Sequence, residues 1–120
     1  MVELLTLSDF EKFETVAKKE LSLIEFGTPW SSPCRVQQKI LINLMQRHGS
    51  IIVFATVDVE QHPGIAGRCQ IQTVPTLIVY RKGKELKRLV GLQSVETLDA
   101  ILAKSCVTKA SSIQNRASTK

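Results

Sequence analysis

The chain has 120 residues, 43% hydrophobic and 22% charged, enough for one core but not for two, so a single globular domain must carry any function. Its apolar segments fall far short of the roughly 20 residues that a membrane-crossing helix needs, and Met1 to Leu7 has no basic start and is followed by Asp9 and Glu11, which speaks against a secretory leader and for a cytoplasmic protein. The net charge of +5 gathers in the turn Arg81-Lys82-Gly83-Lys84 and in Lys104, Lys109, Arg116 and Lys120; with no aromatic residues interleaved, it reads as a solvated surface and not as a nucleic-acid site.

Ser8 ahead of Asp9 and Glu11 predicts the N-cap of a first helix over about residues 8–19, with Phe10, Phe13, Val16 and Ala17 at helical spacing. Residues 21–26 form a nearly continuous apolar run interrupted by Ser22 and Glu25, the pattern of a strand covered on both faces, and Gly27 ends it. From Pro33, the residues Val36, Ile40, Leu41, Leu44 and Met45 recur on one helical face as far as His48-Gly49. Proline is tolerated there because N–H groups in a first turn have no helical partner.

Residues 51–59 are rich in β-branched side chains and predict a second strand, joined to the first through the helix as a parallel βαβ unit. His62-Pro63-Gly64 opens a short helical piece toward Cys69. Residues 76–80 and 85–90 then predict an antiparallel hairpin about Lys82-Gly83-Lys84, and Ser94 caps a last helix that carries Glu96, Leu98, Ile101 and Leu102. The expected fold is α/β: βαβ followed by ββα, one central mixed β-sheet flanked by helices on both faces, over residues 1–106. Residues 107–120 hold many Ser, Thr and Lys and few large apolar groups, and predict a polar, mobile tail.

Cys34, Cys69 and Cys106 are too few for a disulfide framework and have no zinc-ligand spacing, so reduced thiols and no metal are expected. The same applies to His48 and His62, which carry no paired ligand spacing. Cys69, six residues before Pro75, reads first as a small buried hydrophobe.

The segment Trp30-Ser31-Ser32-Pro33-Cys34 stands at a strand-to-helix junction, with Val74-Pro75-Thr76, Gly91, Glu25 and Val57-Asp58-Val59 in a fixed order around it. In this order and spacing, over about residues 3–105, the chain resembles the thioredoxin family and its redox-active Trp-Cys-x-Pro-Cys. The resemblance implies a thioredoxin fold with Val57-Asp58-Val59 on a central strand and Pro75 in a cis-proline loop whose backbone edge pairs with an extended polypeptide. It implies a substrate groove of Trp30, Ser32, Pro33, Val74, Pro75 and Gly91, with Trp30 as a lid, Glu25 as a buried proton relay, and Cys34 as the resolving thiol. It further implies disulfide- or cysteine-containing proteins as partners, a reductase-like electron donor, a monomer, and no bound cofactor.

Ser31 occupies the place of the attacking cysteine. A thiolate attacks a disulfide, and its formation is favoured at a helix N-terminus; a serine hydroxyl stays protonated without a strong base beside it, and its oxygen cannot form the S–S bond of a mixed disulfide. The chain as written is therefore expected not to run a dithiol cycle. The sequence favours a parent disulfide oxidoreductase with cysteine at position 31. Two alternatives are a redox-silent module that binds peptides or proteins in the same groove, and a one-cysteine enzyme that uses Cys34.

Overall fold

The structure, a computed structural model, describes residues 4–105. Cys106 and the predicted tail over 107–120 lie outside the described residues. Strand β1 (Leu5–Thr6) comes first; it has no counterpart in the sequence reading, because two residues carry no periodicity. Helix α1 (Phe10–Ala17) is capped by Asp9 and not by Ser8. Asp9 is extended at φ −157°, and its carboxylate accepts the Lys12 N–H at 2.7 Å, the usual N-cap bond. The Ser8 hydroxyl instead accepts from the Lys12 ammonium at 3.1 Å.

There follow β2 (Ser22–Gly27), α2 (Ser32–His48), β3 (Val53–Asp58), α3 (Pro63–Arg68), β4 (Thr76–Arg81) and β5 (Lys84–Val90), and then α4, helical over 95–105. The five-stranded sheet has the order β1-β3-β2-β4-β5. Strands β1, β3 and β2 are parallel, whereas β2 with β4 and β4 with β5 are antiparallel, so the predicted βαβ-then-ββα plan holds. The central strand is β2, and every one of its residues is buried, Ser22 and Glu25 included, which accounts for its nearly continuous apolar run. Val57 and Asp58 lie on β3, one strand away from the centre, and Val59 follows the end of that strand.

Alternation along the strands divides the core. One cluster joins Phe13, Val16, Ile24, Phe26, Val57, Ile65, Ile78 and Tyr80 on the side of α1 and α3. The other joins Leu21, Leu23, Leu41, Leu44, Phe54, Leu77, Leu98 and Leu102 on the side of α2 and α4. The buried seam of α2 is Cys34, Gln37, Leu41 and Leu44, and Val36, expected on the inner face, is exposed. The seam is rotated because a glutamine takes the inner position one turn after Cys34. At the far end of the sheet, Lys82 and Gly83 have φ of +51° and +87°, the two positive values that a two-residue hairpin matching the strand twist requires. Their N–H groups reach back to the Lys19 and Ala17 carbonyls, each at 2.8 Å.

Candidate functional site

The site grows from the carboxyl end of β2. After Gly27 the chain turns through Thr28 to Trp30, and Ser31, at φ −81° and ψ 125°, becomes the N-cap of α2. Its Oγ accepts the Cys34 N–H at 3.4 Å. The hydroxyl therefore sits at the helix mouth, where free N–H groups favour negative charge, but it is engaged as a helix cap. Ser32 and Pro33 are exposed, whereas Cys34 is 0% exposed. Arg35 holds the turn, its Nη1 donating to the Trp30 carbonyl at 2.9 Å and to the Pro29 carbonyl at 3.3 Å. Trp30 is 64% exposed, with its indole N–H bonded to Glu60 Oε1 at 2.9 Å.

Glu25 lies on the α2 side of the sheet, two residues beyond Leu23, in a position that packing alone would give to an apolar side chain. It is fully buried. Thr56, its register partner on β3, donates its hydroxyl to Glu25 Oε1, and the Gln38 amide adds a bond of 3.2 Å to the same atom. Oε2 has no hydrogen-bond partner. Burial pushes the Glu25 pKa up and the charge of Asp58 adds to that rise, against the hydrogen bonds from Thr56 and Gln38, which lower it.

Gly27 explains how carboxyl and thiol come to share this space. A Cβ at that position would stand 2.8 Å from Cys34 Sγ and collide with Glu25 Oε2, so the missing side chain leaves the gap that both atoms face. Beside it opens a cleft of about 180 Å³ lined by Thr6 and by Gly27, Thr28, Pro29, Gln38, Thr56 and Asp58.

The Val74–Pro75 peptide bond is cis. Phe26 pairs with Thr76, so Pro75 lies one residue past that pair, at the edge of the sheet from which the Trp30–Cys34 turn also departs. The Pro75 carbonyl accepts the Gly91 N–H at 2.8 Å. Gln37, fully buried, fastens the next loop to α2: its Oε1 accepts the Gln93 N–H at 2.7 Å and its Nε2 donates to the Gln93 carbonyl at 3.1 Å. Gln93 Nε2 in turn donates to the Gly91 carbonyl at 3.1 Å.

Of the residues singled out from the sequence, Cys34 and Glu25 face the gap at Gly27, Ser31 caps the helix that carries Cys34, and Pro75 and Gly91 are bonded to each other at the same end of the sheet. Cys69 belongs elsewhere. It is buried in the α1 and α3 cluster with Sγ 3.7 Å from the Tyr80 hydroxyl, at the end of β4 remote from Pro75, and burial pushes its thiol pKa up. Gln37, Gln38 and Thr56 were not singled out; the available signal was a polar residue on the buried seam of α2, masked by the alternative seam through Val36.

A family model described as Thioredoxin matches residues 2–104. The chain belongs to the thioredoxin family. Thioredoxin from Alicyclobacillus acidocaldarius is 29% identical over 99 residues, which cover 82% of this chain and 94% of that protein. Thioredoxin from Chlamydia caviae is 31% identical over 98 residues, covering 82% and 92%. Among solved structures, thioredoxin from Trypanosoma brucei brucei superposes with a TM-score of 0.80 at 22% identity, over 87% of this chain and 91% of that one. Mitochondrial thioredoxin 3 from Saccharomyces cerevisiae, in its oxidized form, gives 0.76 at 24% identity, over 84% and 94%. These two show the thioredoxin fold, and the sequence relatives make this a thioredoxin-type redox protein.

Proposed function

We propose that this chain carries a thioredoxin-type protein disulfide oxidoreductase site from which the attacking sulfur is missing, so that as written it does not catalyse dithiol–disulfide exchange. The observation that carries this reading is Ser31 at the N-cap of α2, its oxygen bonded to the Cys34 N–H, with Cys34 buried against Glu25 and Gly27. In such a site a thiolate at position 31 attacks a substrate disulfide, forming a mixed disulfide and releasing one substrate thiolate. Cys34 then attacks that mixed disulfide, releases the second substrate thiolate and closes a disulfide within the site, so two electrons pass to the substrate. Glu25 would take the proton from the Cys34 thiol. Trp30, Ser32, Pro33, Val74, Pro75 and Gly91 would hold the substrate polypeptide, and a reductase-like donor would return the electrons. Free Cys34 and Cys69 fit a reducing, cytoplasmic setting, and among the described residues no helix is long and apolar enough to cross a membrane.

Ser31→Cys tests the proposal directly in an insulin-reduction assay with dithiothreitol as donor. The unaltered chain should add nothing to the rate with dithiothreitol alone, and the variant should raise that rate on the order of tenfold or more. A folded variant with no activity would overturn the oxidoreductase reading. It would favour the second one, a redox-silent module that binds polypeptides. The observation behind that second reading is the set of exposed apolar side chains, Trp30, Val36, Val90 and Leu92, on the segments that carry Ser31, Cys34 and Gly91.

A further inference from the structure

A second cleft, of about 320 Å³, lies between the β4–β5 hairpin and α4, and is lined by Arg81, Leu86, Lys87, Ile101, Lys104 and Ser105. Arg81 closes β4 at the end remote from Pro75, so this cleft is no part of the site at Ser31. Three of its six lining residues are cations and none is an acid.

The convergence has a local cause. Tyr80 pairs with Glu85 and Val79 with Lys87, which leaves Leu86 as an extra residue in β5. Such a bulge suspends the in-and-out alternation of a strand, and the consecutive residues Leu86 and Lys87 both line the cleft. On α4, Ile101 and Lys104 are one turn apart and share a face.

The acids that neighbour these residues along the chain are engaged elsewhere. Both carboxylate oxygens of Glu85 receive the Arg88 guanidinium, at 2.8 and 2.9 Å, and Asp99 is bonded to His48 at 2.8 Å and paired with Arg47 at 3.3 Å. Arg81 is held in place by a bond of 2.7 Å from Nη2 to the Ser105 carbonyl, and its Nε is buried without a partner. Like charges gathered in a concave, partly apolar wall repel one another and favour an anion between them.

We propose that this cleft binds an organic anion, with a carboxylate or phosphate group among Arg81, Lys87 and Lys104 and an apolar body against Leu86 and Ile101. The claim is independent of the redox chemistry at position 31. Both headgroups match the donors present, and the apolar floor distinguishes an amphipathic anion from a simple ion.

Methyl NMR titration of the full chain with octanoate, octyl phosphate and inorganic phosphate tests it. Octanoate, octyl phosphate or both should shift the Leu86 and Ile101 methyl signals saturably, and the tighter of the two identifies the headgroup. Inorganic phosphate, lacking the apolar body, should bind at least about tenfold more weakly. The double variant Lys87→Gln, Lys104→Gln alters two exposed side chains and should keep the fold, as read from the unchanged remainder of its spectrum. It should weaken binding about tenfold, and added salt should weaken binding to the unaltered chain. Absence of saturable shifts at Leu86 and Ile101, or equal affinity in the double variant, would overturn the site.

Discussion

The two faces of this sheet are built from the same strands and do different work. Facing α1 and α3, the core is mostly apolar, with Ser22 and Thr76 the buried polar residues that β2 and β4 bring to this face and Phe13 at the centre of its rings: those of Phe10, Phe26 and Tyr80 lie 5.9, 6.2 and 5.8 Å from it. Facing α2 and α4, the core is apolar over Leu21, Leu23, Leu41, Leu44 and Phe54 but turns polar toward the helix mouth, where Thr56 and Gln38 bond Glu25 near Cys34. In β2 the two regimes are adjacent residues, since Glu25 and Phe26 point to opposite faces. Apolar packing thus fills both faces, and on the α2 side it gives way near the helix mouth to groups that packing alone would exclude.

Truncation on the apolar face should give the largest effect. Phe26→Ala removes a fully buried ring and its contact with Phe13, and should lower unfolding stability by about 3–5 kcal/mol, read from urea melts. A loss below about 1 kcal/mol would mean that this face relaxes to fill the hole.

A smaller effect is expected where the two regimes touch. Gly27→Ala places a methyl group into the gap between Glu25 and Cys34; one of the two must shift, at about 2–3 kcal/mol for overpacking a tight site. Because Cys34 is wholly buried, its alkylation in the folded state should be slow, and the alanine variant should speed it by displacing the thiol or its cover. Unchanged alkylation together with unchanged stability would show that Gly27 is not what brings carboxyl and thiol together.

Legibility in the sequence follows the same division. The apolar face could be read because Phe10, Phe13, Val16 and Ala17 repeat at helical spacing and the β2 run is nearly continuous, so period and burial agree. The seam of α2 misled because Val36 and Gln37 are neighbours and both fit a helical face; the choice depends on what the Gln93 backbone needs, a partner 56 residues away in the chain. Capping by Asp9 in place of Ser8 is a one-residue ambiguity between two good capping residues. Thr56 carries no mark of its role in the sequence: only the register of β3 against β2 sets its hydroxyl on Glu25. Ser31, Cys34, Pro75 and Gly91 were found through the family resemblance, since no local pattern links residues so far apart.

The smallest effect should have the opposite sign. The folded-state pKa of Glu25 lies above its ordinary value of 4.5, chiefly through burial, so the fold favours the neutral carboxyl. That contribution is complete below the ordinary carboxyl value and is lost as pH rises through the raised folded-state pKa, above which an ionised carboxylate with one unpartnered oxygen opposes folding. Glu25→Gln keeps an acceptor for the Thr56 hydroxyl and the Gln38 amide and removes the charge. It should therefore raise stability near neutral pH on the order of 1 kcal/mol, and urea midpoints measured across pH should show the gain shrinking to nothing once the pH falls below the ordinary carboxyl value. A variant less stable than the original chain near neutral pH would mean that Thr56 and Gln38 hold the carboxylate ionised against its burial, and the polar half of the α2 face would then stabilise the fold as the aromatic face does.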